Sequence, residues 1–530
     1  MITRNAPSCL RQSVKLAYTR CLPRKSISQR RWSTSSSYPP QGASPTPQSV
    51  ASPIASITTE LDKLSPRIDV SADSIEILRS PAQFYETLKT KILNANDRIY
   101  LSTLYVGKAE HELIDTIHAA LQKNRSLKVS ILTDALRGTR EAPDGQSCAS
   151  LLASLIKSFP EQVDIRMYHT PNLVGLKKRY LPKRVNEGWG LQHMKLYGFD
   201  DEIILSGANL SDDYFTNRQD RYHLFKSKEV TDFFAKVYEC VAALSYRVLP
   251  SDDQINGGFI FDWPESNIQP APLDNAKAYI EAATQSLVPL TESVAPTKAI
   301  DSRSDTHVYP LLQLTPLLRP DTSTELPALT RILEKLASPA FEGSRWTFTA
   351  GYFNMTPQVR DLLLHARHSE GAVVAASPWA NGFYGSKGVS GMLPSAYTYL
   401  ARSFLKAVQQ VGLDDRIVVK EWRKGTVNEP EGWTYHAKGV WLTLPREQNP
   451  SVSLIGSSNY TKRSYSLDLE ANAMIVTNNT DLQRRLGEEE KWLQEHAKQM
   501  TRDDYATNER RVGLHVRIAM WIVTLVGGAL

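Results

Sequence analysis

Two stretches of this chain, some 240 residues apart, follow one plan. The first, Gln192 to Asn209 (QHMKLYGFDDEIILSGAN), sets a histidine, a lysine two residues on and an aspartate five further in an H-x-K-x4-D pattern: His193, Lys195 and Asp200. It then passes through the small-residue turn Ser206-Gly207-Ala208 to Asn209. The second repeats H-x-K as His436 and Lys438 and ends on Gly456-Ser457-Ser458-Asn459. Asp220 follows Asn209 by eleven positions and Glu470 follows Asn459 by eleven, while Phe215 and Tyr465 each stand six past their asparagine. Acids and aromatics at matching offsets mark an internal duplication rather than a chance pair of triplets. The upstream segments agree, Ile99 to Tyr105 having its counterpart in Trp346 to Tyr352.

Alternation in His193-Met194-Lys195-Leu196-Tyr197 predicts a strand with His193 and Lys195 on one face. The apolar run Ile203-Ile204-Leu205 returns antiparallel through Asp200-Asp201-Glu202 and delivers Asn209 beside the pair. Those residue types suit a phosphate. A neutral imidazole attacks phosphorus, a fixed ammonium neutralises non-bridging oxygens, and an amide donates a further hydrogen bond. One hairpin makes half a site, because a leaving group also needs a proton, and the second H-x-K supplies that half. The copies differ at one place: where the first motif has Asp200, the second has Thr443.

On these residues the chain resembles the phospholipase D superfamily, whose two H-K-D motifs meet at one active site. Within it, GLQHMK, the YHAKGVW form of the second motif and RSYSLDLEAN resemble the eukaryotic mitochondrial phosphatidylglycerophosphate synthases, over roughly Ser80 to Ala497. The resemblance implies an α/β fold of two duplicated phospholipase D-like lobes, each a mixed β-sheet flanked by helices, with the active site at their seam. It implies transfer of the phosphatidyl group from CDP-diacylglycerol to glycerol 3-phosphate through a phosphohistidine. His193, with the full motif, is then the expected nucleophile and His436 the general acid and base. Lys195, Lys438, Asn209 and Asn459 stabilise the phosphate oxygens, Asp200 joins the catalytic set as the carboxylate that supports its motif, and Asp220 and Glu470 orient the histidines of the same or the opposite lobe. No cofactor or metal is implied, since two lysines take the place of a cation.

The domain organisation follows from patterning. Helical spacing in Ser80–Ala95, Ala109–Gln122 and Thr231–Leu244, with strands at Ile99–Tyr105 and Leu127–Leu132, predicts a first lobe over 60–250. Pro264, Pro270, Pro272, Pro289, Pro296 and Pro310 break residues 251–322 into an irregular crossover with one helix near Asn275 to Gln285. The second lobe, over 323–500, opens with a helix from Pro327 to Leu336 and has strands at Val373–Ala376 and Ile417–Lys420 and a charged terminal helix from Asp481. Residues 501–530 form a tail.

Charge is informative mainly by location. Eight Lys or Arg and no acid lie in residues 1–59, more than the whole net charge of +6. This basic, serine-rich composition predicts a mitochondrial transit peptide followed by a Ser/Pro-rich linker, against the alternative of a basic tail. Without that segment the chain has no electrostatic case for nucleic acid. The matrix side of the inner membrane is the expected location. Two of four cysteines fall in the leader; Cys148 and Cys240 alone make neither a disulfide framework nor a zinc site. Ile518 to Leu530 is apolar for thirteen residues, too short for an ordinary span. Behind Arg510, Arg511 and Arg517, it either dips into an anionic bilayer surface or docks on the core.

Lys177, Lys178, Arg179, Lys183 and Arg184 form a cationic run a dozen residues before His193; it either binds glycerol phosphate, a diphosphate or anionic headgroups, or is a solvated loop. The aromatic and glycine-rich loop from Trp379 to Gly388 either admits an acyl chain or base, or is plain surface. The remaining histidines have no partner at catalytic spacing. Four other functions compete with the favoured one: a phosphatidyltransferase with serine or phosphatidylglycerol as acceptor, a phosphodiesterase acting on DNA 3′ adducts, a lipid hydrolase using water, and a non-catalytic scaffold. Asp200 and the basic leader argue against the DNA enzyme, and two intact His/Lys pairs against the scaffold.

Overall fold

The computed structural model describes residues 52–140, 146–181, 186–253, 257–293, 305–366 and 368–525. Of the leader and linker expected over residues 1–59, all but the last eight lie outside them, as do Lys183, Arg184 and the last five residues.

The duplication seen in the sequence is carried by two nine-stranded sheets. The first runs in the order Phe259–Asp262, Tyr246–Pro250, Val163–Tyr168, Lys128–Asp134, Arg98–Ser102, Leu196–Phe199, Glu202–Ser206, Tyr222–Phe225 and Ile75–Leu78. The second runs Ile68–Val70, Thr306–Gln313, Glu470–Thr477, Val452–Gly456, Lys438–Thr443, Arg345–Ala350, Glu370–Ala376, Ile417–Trp422 and Ala497–Gln499. In each, three parallel strands meet an antiparallel meander at the same place: Arg98–Ser102 pairs antiparallel with Leu196–Phe199, and Arg345–Ala350 with Lys438–Thr443. This is the expected mixed α/β arrangement in duplicate.

Each sheet is closed by a helix after its meander. Lys228–Ala242 is capped by Ser227, whose hydroxyl accepts from the Val230 N–H, and buries Val230, Phe234, Val237, Tyr238 and Val241 along one stripe. Its counterpart, Thr480–Trp492, is capped by Asn479 and turns Leu482, Leu486 and Glu489 inward. A glutamate at the third inward position requires a partner. Glu489 receives a two-pronged bond from Arg221 of the first lobe, at 2.9 and 2.8 Å, together with His223 at 2.9 Å and the Trp441 indole N–H at 3.1 Å. Arg221 and Glu489 are both fully buried, so this network locks the lobes together.

The chain visits the second lobe before building the first. Helix Pro53–Leu61 places Ile57 and Leu61 in the core formed by Leu329, Ile332 and Leu333, and Ile68–Val70 edges the second sheet. The 251–322 span carries more regular structure than its prolines suggest: a hairpin strand at Phe259–Asp262, a helix at Ala276–Thr291, and a strand at Thr306–Gln313 along the whole of Glu470–Thr477. Pro310 is tolerated because Ile68–Val70 pairs only with Thr306–Val308, leaving the proline on an open edge.

Candidate active site

The motif histidines sit just ahead of their strands rather than within them, since regular pairing begins at Leu196 and Lys438. Their backbones are held by the other lobe. The His193 N–H donates to the Leu469 carbonyl at 2.9 Å, and the His436 N–H to the Gln219 carbonyl at 2.8 Å, positions that match under the duplication. A short parallel bridge between Arg218–Gln219 and Thr434–Tyr435 reinforces the second contact.

The carboxylates cross the seam in the same way. His193 Nδ1 donates to Glu470, 3.0 Å from each oxygen, and His436 Nδ1 donates to Asp220 at 2.6 Å. Of the two orientations expected for Asp220 and Glu470, the opposite-lobe one is present. Anchoring Nδ1–H leaves each Nε2 as the reactive nitrogen. Lys195 Nζ donates to the His193 carbonyl at 2.6 Å, while Lys438 Nζ lies 2.8 Å from His436 Nδ1, 3.3 Å from Asp220 and 3.2 Å from the Gly207 carbonyl. A Cβ on Gly207 would stand 2.3 Å from that ammonium and 2.6 Å from Asp220, so any larger residue there displaces the Lys438–Asp220 pair.

Burial, followed by the neighbouring lysine, holds both imidazoles well below their usual range, so both are neutral at neutral pH. Burial pushes Lys195 down to about 7 and Glu470 up to about 7, each against the attraction of the other. Lys438 is also lowered by burial. For Asp220, burial works upward but Lys438 and His436 outweigh it, and the carboxyl stays ionised.

Asn209 donates to the Tyr214 hydroxyl at 3.1 Å, which lies 3.4 Å from His436 Nε2; it therefore reaches the opposite lobe's histidine, beyond the expected neighbourhood of its own hairpin. Asn459 occupies the matching place, its N–H donating to Ser464 at 3.3 Å. The side-chain oxygens of both asparagines are buried without a protein partner.

Asp200 is a correction. It sits in the hairpin turn with φ 49° and accepts the backbone N–H groups of Asn96, Asp97 and Arg98 at 2.8, 2.8 and 3.0 Å. It touches neither His193 nor Lys195; it pins a turn to the neighbouring strand, so Thr443 in the second lobe costs a clamp and not a catalytic group. Lys177, Lys178 and Arg179 lie on an exposed helix, Gly175–Tyr180, whose Lys177 ammonium stacks 4.2 Å from the Trp189 ring ahead of His193. No catalytic side chain contacts them.

Sequence reasoning missed the aromatic wall of His436. Tyr214 and Tyr352 meet the imidazole edge-on, with ring centroids at 5.2 and 5.1 Å. The signal lay in the strand counterparts Tyr105 and Tyr352 and in the tyrosine beside Phe215. Phe383, from the aromatic loop, packs tilted against Tyr352 with ring centroids at 5.3 Å, and a cavity of about 590 Å³ is lined by Trp379, Tyr384 and Arg423 of the same region. Among the described residues, no group of three or more His, Cys, Asp or Glu is placed to hold a metal.

No family model matches the chain. Among solved structures, the Haemophilus influenzae phosphatidylserine synthase superposes with a TM-score of 0.68 at 21% identity, covering 89% of this chain and 97% of its own, which establishes the shared fold. Full-length relatives are closer in sequence. The CDP-diacylglycerol–glycerol-3-phosphate 3-phosphatidyltransferase of Saccharomyces cerevisiae is 47% identical over 85% of this chain and 88% of its own, and that of Schizosaccharomyces pombe 41% over 84% and 93%. The mouse protein of that name, designated mitochondrial, is 36% identical over 90% and 88%. Identity at this level over nearly the whole folded chain leads to one family: the chain belongs to the CDP-diacylglycerol–glycerol-3-phosphate 3-phosphatidyltransferases.

Proposed function

We propose that this chain transfers the phosphatidyl group of CDP-diacylglycerol to glycerol 3-phosphate, giving phosphatidylglycerophosphate and CMP as a step toward phosphatidylglycerol and cardiolipin. The observation that carries the mechanism is the pair of imidazoles with Nδ1 anchored on carboxylates and Nε2 left to react. His193 Nε2 attacks the phosphatidyl phosphorus, the bond to the CMP oxygen breaks, and His436 gives that oxygen a proton. The incoming diphosphate, an anion beside a depressed imidazole, raises the proton affinity of His436 for this task. His436 then takes the proton of the glycerol 3-phosphate hydroxyl, whose oxygen attacks phosphorus and breaks the bond to His193. Lys195 and Lys438 neutralise the non-bridging oxygens in both steps, and the amide groups of Asn209 and Asn459 donate hydrogen bonds to them.

The test is an acceptor assay with labelled glycerol 3-phosphate and CDP-diacylglycerol. His193→Ala and His436→Ala should each abolish label in lipid with little change in thermal midpoint. Substantial residual transfer in either would sink the two-histidine scheme, and release of CMP without lipid label would point to another acceptor or to water.

The enzyme works in the mitochondrion, on the matrix face of the inner membrane, where it attaches peripherally. Among the described residues no helix is long and apolar enough to cross a membrane. Helix Leu514–Leu525 packs through Val516 and Met520 on Ala396, and exposes Leu514, Ile518 and Trp521 beside Arg511 and Arg517. That combination suits an anionic bilayer surface. Binding to phosphatidylcholine vesicles should require added cardiolipin and should fall in an Ile518→Ser/Trp521→Ser double variant; equal binding by both proteins would overturn the assignment.

A further inference from the structure

The duplication offset exposes one asymmetry. Two ion pairs occupy matching positions with their charges exchanged: Arg218 with Asp213 at 2.6 Å in the first lobe, and Asp468 with Arg463 at 2.8 Å in the second. The second pair is a clamp. Arg463 bonds Asp468 through two nitrogens and donates to the Glu187 carbonyl at 2.7 Å, while Asp468 accepts the Leu191 N–H at 2.9 Å, fixing the backbone that leads into His193.

Arg218 is placed differently. Its guanidinium lies 4.5 Å from the centre of the Tyr214 ring, whose hydroxyl is 3.4 Å from the reactive nitrogen of His436, and its Nε donates to the Thr434 hydroxyl at 2.9 Å. Gly382 crosses so close that a Cβ there would stand 2.9 Å from Arg218 Nη2 and 3.1 Å from the Tyr352 hydroxyl. The backbone thus leaves room for one cation and a phenol together, and 13% of the arginine side chain remains accessible. The Tyr214 hydroxyl on the Nε2 side of His436 thus has a cation over its ring, and the Tyr352 hydroxyl lies beside that cation across Gly382.

The reaction needs such a group. Two lysines and two asparagines serve the phosphorus under attack, yet each partner that exchanges a proton with His436 carries a second phosphate. CMP leaves with one and glycerol 3-phosphate arrives with one. Resting on the roles assigned above to the two histidines, we propose that Arg218, with the hydroxyls of Tyr214 and Tyr352, binds this non-reacting phosphomonoester on the His436 side. A planar guanidinium fork matches phosphate geometry.

The test uses the full-length enzyme and Arg218→Gln, Arg218→Lys and Tyr352→Phe, the last keeping the fold if the arginine variants fail to accumulate. Exchange of labelled CMP into CDP-diacylglycerol without acceptor reads the CMP phosphate alone. The KM for glycerol 3-phosphate, compared with transfer to unphosphorylated glycerol, reads the acceptor phosphate. Arg218→Gln should either slow exchange or raise that KM by about 10- to 100-fold, with partial recovery in Arg218→Lys, and the measurement that moves identifies the phosphate. Glycerol transfer should be unaffected where the acceptor phosphate is the one bound. Exchange and KM both within about twofold of the parent, or a uniform fall in kcat with every KM unchanged, would overturn the proposal. Exchange surviving in His193→Ala would instead refute the nucleophile assignment, and with it the reason for placing the non-reacting phosphate on the His436 side, whatever the Arg218 variants show.

Discussion

Replacing Asp220 by asparagine tests the crossed carboxylates directly. One Asp220 oxygen accepts the Arg221 N–H at 2.9 Å, and the other faces His436 Nδ1 at 2.6 Å and Lys438 at 3.3 Å. In an asparagine the Arg221 amide would keep the side-chain oxygen, which turns the NH2 toward two donors. His436 then escapes the clash by moving its proton from Nδ1 to Nε2, the tautomer unable to accept a proton from the incoming hydroxyl. Two charge-assisted hydrogen bonds are lost, at about 1.5–3 kcal/mol each. Taken together, about 3–6 kcal/mol corresponds to a fall in kcat of roughly 10²- to 10⁴-fold. The assay is initial-rate transfer of labelled glycerol 3-phosphate with CMP measured in parallel. Both should fall together, because His436 serves both half-reactions, while the isosteric change leaves the thermal midpoint nearly in place. Transfer within tenfold of the parent, or CMP release unaffected while transfer fails, would refute the assignment of Asp220 to His436.

Asp200→Ala should remove about 1–3 kcal/mol of stability through its three backbone bonds, read by denaturant midpoint, while activity per folded molecule stays near the parent; a selective fall in kcat would return Asp200 to the chemistry. Glu489→Ala leaves the Arg221 guanidinium buried without its counter-charge, a cost of about 3–5 kcal/mol; with an unfolding entropy of about 1 kcal/mol/K for a body of this size the thermal midpoint should drop by roughly 3–5 °C, and a shift under about 1 °C would contradict the interlobe lock. Lys195, at about 7 in the free enzyme, is charged below that pH and loses its proton above it. The kcat/KM for CDP-diacylglycerol should therefore fall above about pH 7, whereas kcat holds to higher pH because bound phosphate keeps the proton on the lysine; identical alkaline limbs in the two profiles would count against Lys195 as the phosphate cation.

Much of the site was legible because the duplication repeats chemistry at fixed offsets. His193, His436, Asp220 and Glu470 were found by counting, and the sheets around them follow from apolar strands that recur in both halves. What escaped depends on contacts between distant segments. Periodicity cannot reveal that Ile68–Val70 joins the second sheet, since a three-residue strand carries almost no pattern of its own. The 251–322 span read as irregular because its prolines argue against strands, and only the open edge beside Pro310 explains why one survives there. Asp200 looked catalytic because its spacing belongs to the motif, while its function lies in three backbone amides that no motif displays.

The crossing of the carboxylates also explains why both halves stay together in one chain. In a lobe folded alone, His193 would lack both its carboxylate and the Leu469 carbonyl that holds its backbone, and His436 would lack Asp220 and the Gln219 carbonyl. Each lobe thus carries the orienting group for the other's chemistry, and neither contains half of the activity. Arg221 and Glu489 add a buried charge pair that is satisfied only when the lobes are docked, which makes separation expensive as well as inactivating. Divergence between the copies is then permitted wherever it leaves the seam intact. Thr443 replaces the turn-pinning aspartate because that change touches none of the four bonds that aim the imidazoles.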